Sequence, residues 1–216
     1  MIPILDIHTH NLAARQALIA VDPRQFDPQP GLYYSVGFHP WHGVDLLTDD
    51  DYALLERCAR HPRVLAIGET GMDRLRGAAL DVQRDVFVRH LQLAHDLGKP
   101  VVAHCVRTAQ DILAARHASG LDVVTLIIHG MRGNAHVARM LLDGGCYLSY
   151  GERFNRAAVA VTPLDRLLIE TDDGPATIAA VACQVAAALD QAPATLLTRV
   201  AATTRRLVLK TTDIPG

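Results

Sequence analysis

Six residues could carry chemistry in this chain: His8, His10, Glu69, His104, His129 and Asp172. Four imidazoles and two carboxylates make a donor set for one or two divalent transition ions such as Zn²⁺ or Mn²⁺. A carboxylate shared by two ions holds them about 3.5–4 Å apart, the separation used in two-metal hydrolysis. The opening run PILDIHTH places Asp6, His8 and His10 at alternate positions, so on a strand all three share one face. Taken singly, each residue has an ordinary role. His104 or His129 could be a core histidine bonded to a carbonyl, Glu69 a buried structural carboxylate, and Asp172 the cap of the helix that follows it. Their common position decides the matter, because each stands at the end of an apolar run.

Those runs are PILDIHTH, LYYSVGFHP, VLAIGETG, PVVAHCV, VTLIIHG, CYLSYG and RLLIETD. Helical patterns separate most of them, over 49–60, 80–98, 109–120 and 134–145. Two more follow, over 176–190 and 194–209. Gly98 with Pro100 stops the second helix, and Asn134 with Gly144-Gly145 brackets the fourth. Near-continuous apolar strands alternating with helices indicate parallel strands buried on both faces. An open doubly wound sheet would spread the polar strand ends along a line, and its glycine-rich phosphate loop is missing. A TIM-like (β/α) barrel gathers them at one mouth. The expected fold is therefore an α/β barrel forming one domain over 1–216. Its eighth strand is either short, around Gly174–Ala176, or missing. PRQFDPQPG (23–31) is a proline-rich loop, and QALIAV before it fits helix or strand equally.

Composition narrows the function. Half of the residues are hydrophobic, 20% are charged and the net charge is −2, which excludes a broadly basic nucleic-acid tracker. The four cysteines are scattered with no C-x-x-C pair, as expected of reduced thiols in a cytoplasmic chain. No apolar stretch is long enough for a bilayer span, so no membrane association is expected. The first apolar run lacks a basic flank and is broken at Asp6, so no signal peptide is expected.

The order D-x-H-x-H, G-F-H-P, G-E-T-G-M-D, H-C-V-R, I-I-H-G-M-R-G, L-S-Y-G-E-R-F-N and L-I-E-T-D resembles the TatD family of metal-dependent hydrolases, especially its short bacterial members. The family belongs to the amidohydrolase-like barrels and includes deoxyribonucleases that act on DNA ends. The resemblance implies that His8, His10 and Asp172 hold a first ion, and that Glu69 bridges to a second held by His104 and His129. The pair of ions would be Zn, Mn or Mg. Asp172 would be the base for the attacking water, with Glu69 the other catalytic carboxylate. His39 would contact a substrate phosphate at the mouth, Arg107 would face an oxyanion, and Asp6 and Asp73 would orient ligands or loops. Glu152 takes no assigned role. Met72 replaces the usual leucine of G-E-x-G-L-D, and Thr203 stands where the late asparagine motif would align. The R-N-E-P-like loop of longer members is absent after Asp172. Lys99 lies at the wrong end of its strand to be a bridging lysine.

The implied activity is a phosphodiesterase or deoxyribonuclease working on single-stranded DNA or RNA ends. Hydrolysis of a small-molecule amide, ester or lactone is a second reading, and a metal-binding scaffold without turnover a third. The complete donor set argues against the scaffold. Arg74, Arg76, Arg107, Arg132 and Arg153, all just past strand ends, favour an anionic substrate. The near-neutral charge and 5% aromatic content set an expectation of weak, salt-sensitive binding.

Overall fold

The computed structural model describes residues 3–208. Eight parallel strands follow one another in chain order as a closed barrel: β1 (Asp6–Thr9), β2 (Ala17–Val21), β3 (Tyr33–Val36), β4 (Val64–Asp73), β5 (Val101–Val106), β6 (Leu126–Ile128), β7 (Tyr147–Tyr150) and β8 (Leu167–Ile169). The α/β barrel expected from the strand ends is thus observed, with one correction. The eighth strand is neither missing nor located near Gly174. ALIAV, which the sequence left open between helix and strand, forms β2, and every later strand moves up one place. Among the described residues no strand follows β8.

Among the described residues seven helices cover the strands: α1 (Asp49–Ala59), α2 (Leu80–Leu97), α3 (Ala109–Ala118), α4 (Ala135–Asp143), α5 (Arg156–Val161), α6 (Ile178–Ala188) and α7 (Pro193–Val208). Six follow the sequence periodicity within a few residues. Leu209, the last residue of the helix expected over 194–209, lies outside the described residues. α5 was not expected; its six residues are too few to show a period. Local chemistry fixes the ends. Thr48 and Asp51 form a capping box on α1, Asn134 accepts the Val137 N–H to start α4, and Gly98 takes a left-handed conformation to end α2. The proline-rich stretch after β2 contains one 3-10 turn, Pro23–Gln25. Among the described residues no single helix is long and apolar enough to cross a membrane.

The chain packs as two compact units, residues 3–19 with 128–208 and residues 20–127. In the first, β1 pairs with β8 at Asp6↔Ile169 and β8 with β7 at Tyr150↔Ile169. Ile7, Leu148, Leu168, Val181, Val185 and Val200 are fully buried there. In the second, β4 pairs with β3 and β5, and all ten of its residues are buried. Ile67, Phe87, Leu91, Val102 and Ile112 form that core. Burial of both strand faces explains the continuous apolar runs.

Candidate metal centre

In the first unit, the ligand atoms of His8, His10 and Asp172 all lie within 4.8 Å of one another, as do those of His129, Glu170 and Asp172. Nε2 of His8 and Nε2 of His10 are each 3.6 Å from Oδ1 of Asp172. His8 is fully buried, with its ring 4.1 Å from that of His129, whereas His10 is about half exposed. The strand alternation read from D-I-H-T-H thus brings both histidines to one carboxylate. Asp172 adopts a φ of +53°, a left-handed conformation that non-glycine residues rarely hold without support. Support comes from β1. The Asp172 N–H donates to the His8 carbonyl, and its own carbonyl accepts from the His10 N–H and the Thr9 hydroxyl.

Asp6 stands beneath this group. It accepts the Thr171 N–H at 3.0 Å and the Thr171 hydroxyl at 2.6 Å, fixing the residue between Glu170 and Asp172. Burial pushes its carboxyl up to about 6 despite those hydrogen bonds.

Glu170 is a polar strand end to which the sequence reading gives no role. It is buried, its Oε1 accepts the Gly130 N–H at 2.6 Å and lies 3.5 Å from Nδ1 of His129, and its Oε2 has no hydrogen-bond partner among the described residues. The signal was present: Glu170 stands two residues before Asp172, the spacing that marked His8 and His10. A buried carboxylate oxygen without a donor is costly unless a cation or proton meets it. That oxygen, with imidazoles and a second carboxylate around it, fits a divalent ion of the zinc or manganese type. A cavity of about 240 Å³ opens beside these residues, lined by Arg132, Glu152, Arg153, Glu170, Asp172 and Asp173 among others.

In the second unit, His39, Glu69 and His104 form another group of the same kind. Oε1 of Glu69 lies 2.9 Å from Nε2 of His39 and 3.0 Å from Nδ1 of His104. Nε2 of His104 is 3.0 Å from Oδ2 of Asp73. A carboxylate that accepts one ring N–H fixes the tautomer and orientation of the imidazole. Burial acts to raise the Asp73 carboxyl, but hydrogen bonds from His104, the Leu75 N–H and Trp41 outweigh it and hold it low. His39, expected to reach a phosphate, turns inward to Glu69. Its Nδ1 accepts the Trp41 N–H at 3.1 Å, so its Nε2 carries the proton. Burial lowers its pKa, the Glu69 contact opposing. Gly71 lets β4 and β5 approach here, since a Cβ at its φ of +128° would stand 2.2 Å from the His104 carbonyl. Arg107 follows β5 at a φ of +55°, its side chain exposed and making no ion pair among the described residues. Lys99 spends its ammonium on the carbonyls of Ala59 and Val64, far from any bridging position.

The family model described as "TatD related DNase" matches residues 24–208. The chain belongs to the TatD-related DNase family. A relative named "Uncharacterized metal-dependent hydrolase TatD" from Mycobacterium tuberculosis is 40% identical over 154 residues, covering 65% of this chain and 58% of the relative. The "3'-5' ssDNA/RNA exonuclease TatD" of Cronobacter turicensis is 34% identical over 152 residues, covering 66% and 57%. The alignments thus span less than two thirds of these TatD relatives' length. The TatD homologue YjjV of Escherichia coli shares the fold at a TM-score of 0.82, with 21% identity, over 96% of this chain and 99% of that one.

Proposed function

We propose that this TatD-family chain is a metal-dependent hydrolase that cleaves single-stranded DNA or RNA from an end. The observation that carries the reading is the meeting of His8, His10 and Asp172 within 4.8 Å, beside a buried Glu170 oxygen that lacks a donor. These residues would hold one divalent ion, with His129 at their side. Glu69 and His104 offer donors for a second. A bound ion of this class acts as a Lewis acid and lowers the pKa of water.

The chain's own residues supply the rest. The Asp172 carboxylate takes the proton of the attacking water, an acceptor that its support from β1 keeps in place. Asp6 holds Thr171, and Asp73 holds His104, so the donors need not reorganise when substrate arrives. Arg107, which makes no ion pair among the described residues, presents its guanidinium for a phosphate oxygen. The name of the Cronobacter turicensis relative supports a nucleic-acid substrate.

The test is purified protein, stripped of metal and refilled with Mg²⁺, Mn²⁺ or Zn²⁺, on end-labelled single-stranded DNA and RNA. Stepwise shortening that requires metal is the expected result. Untouched oligonucleotides with hydrolysis of a simple ester or lactone would replace the nuclease by a small-molecule hydrolase.

A further inference from the structure

The chain has a single tryptophan, Trp41, and it is 37% exposed. Its placement is fixed on several sides. The indole N–H donates to Oδ2 of Asp73 at 2.8 Å, the same oxygen that lies 3.0 Å from Nε2 of His104. The ring stands edge-on to His39 at 4.7 Å and to His104 at 5.3 Å. The guanidinium carbon of Arg76 lies 4.0 Å from the ring centroid, and Arg76 has no carboxylate partner among the described residues. The next residue back, Leu75, is 63% exposed.

Both loops that carry this group are tied down. Gln83 on α2 is buried, and its amide nitrogen donates to the carbonyls of Asp73, Arg76 and Ala78. A Cβ at Gly77 would stand 2.2 Å from the Pro40 carbonyl, so the loop after β4 lies directly against the loop after β3. An exposed apolar ring under an unpaired guanidinium, both held from behind, is a preformed surface for a flat, electron-rich partner. Nucleobases stack on aromatic rings and on arginine planes alike, without regard to base identity.

We propose that Trp41 and Arg76 form the stacking platform for the terminal base of the substrate, with Arg107, which has no ion pair among the described residues, available to its phosphate. The inference rests on the nucleic-acid reading and names the residues that would make the enzyme prefer a base-bearing end. A stacked base is worth about tenfold to a hundredfold in affinity. The low aromatic content therefore does not exclude stacking, because the one tryptophan is beside His104.

Because Trp41 is the only tryptophan, intrinsic tryptophan fluorescence reports this surface alone. Titration with thymidine monophosphate should quench it saturably, and 2-deoxyribose 5-phosphate, which lacks the base, should not. Arg76→Ala should raise the nucleotide's Kd about tenfold or more with metal content unchanged. In cleavage assays, oligonucleotides with a normal terminal residue should be preferred over ones ending in an abasic residue, mainly through KM. Trp41→Phe should keep most of that preference, whereas Trp41→Ala and Arg76→Ala should erase it. Cleavage of both oligonucleotides at equal efficiency, with no quenching, would overturn the platform and leave the nuclease standing. Quenching by the nucleotide without any oligonucleotide cleavage would support the platform while removing the nuclease reading.

Discussion

Acid should weaken the folded chain through His90, a residue of α2 that touches none of the candidate ligands. It is fully buried, its Nδ1 donates to the Val86 carbonyl at 2.8 Å, and its Nε2 accepts the Phe38 N–H at 3.0 Å. Phe38 precedes His39, so this neutral ring anchors the backbone that holds His39 against Glu69. A proton on Nε2 would set an N–H against an N–H, and burial has lowered the pKa from 6.5 to about 4. As pH falls, the unfolded chain takes the proton before the folded one does. The contribution is therefore fully present above the ordinary value and lost as pH drops toward the folded one. A gap of about 2.5 pH units at about 1.36 kcal/mol each amounts to about 3 kcal/mol. About 2 kcal/mol of it is gone by about pH 5. His90→Gln keeps an acceptor for Phe38 without a titrating ring and should cost about 1 kcal/mol near neutrality. Urea unfolding of metal-stripped protein, wild type and variant, measures the difference at each pH. Titrations common to both, including the raised Asp6, cancel. The wild type's advantage of about 1 kcal/mol near pH 7.5 should therefore reverse to a deficit of about 1 kcal/mol by about pH 5. Parallel pH curves for the two proteins would refute the argument.

Changing His8 and His10 together to alanine should remove the ion held with Asp172, and elemental analysis showing the full metal complement would exclude that donor set. Asp172→Asn should lower turnover by about 10²–10⁴-fold, the usual contribution of a positioned base; a near-native rate at full metal occupancy would assign the proton elsewhere. Asp73→Asn removes the carboxylate charge beside Nε2 of His104 and should weaken metal binding by about 10–100-fold in competition with a chelator. Unchanged affinity would mean that His104 is not a ligand.

Legibility in the sequence followed the range of the physics. Alternation along D-I-H-T-H and the helical period of 80–98 are local properties, and both survive in the structure. β2 was ambiguous because five apolar residues, ALIAV, fit either period, and the strand carries no ionisable end to mark it. The missing strand was therefore sought at the wrong terminus. α5 spans less than two turns, too short for periodicity. His39 was visible as a polar strand end, but its inward turn depends on Glu69, thirty residues away in sequence, which no local pattern contains. Glu170 could have been found by extending the alternation rule one step back from Asp172. Trp41 could not, since what distinguishes it is the Asp73 carboxylate behind it and Arg76 above it.

The hydrogen bonds between Asp172 and β1 also set a timetable for synthesis. The Thr9 hydroxyl and the Asp172 carbonyl that it meets are separated by 163 positions. On a ribosome adding about 5–20 residues per second, β1 waits about 10–30 s for β8 to emerge. Throughout that interval its edge is an open template of the kind that invites pairing with other chains. Asp6, His8 and His10 give this segment three polar side chains, and charge of that kind discourages an open strand from pairing with other chains.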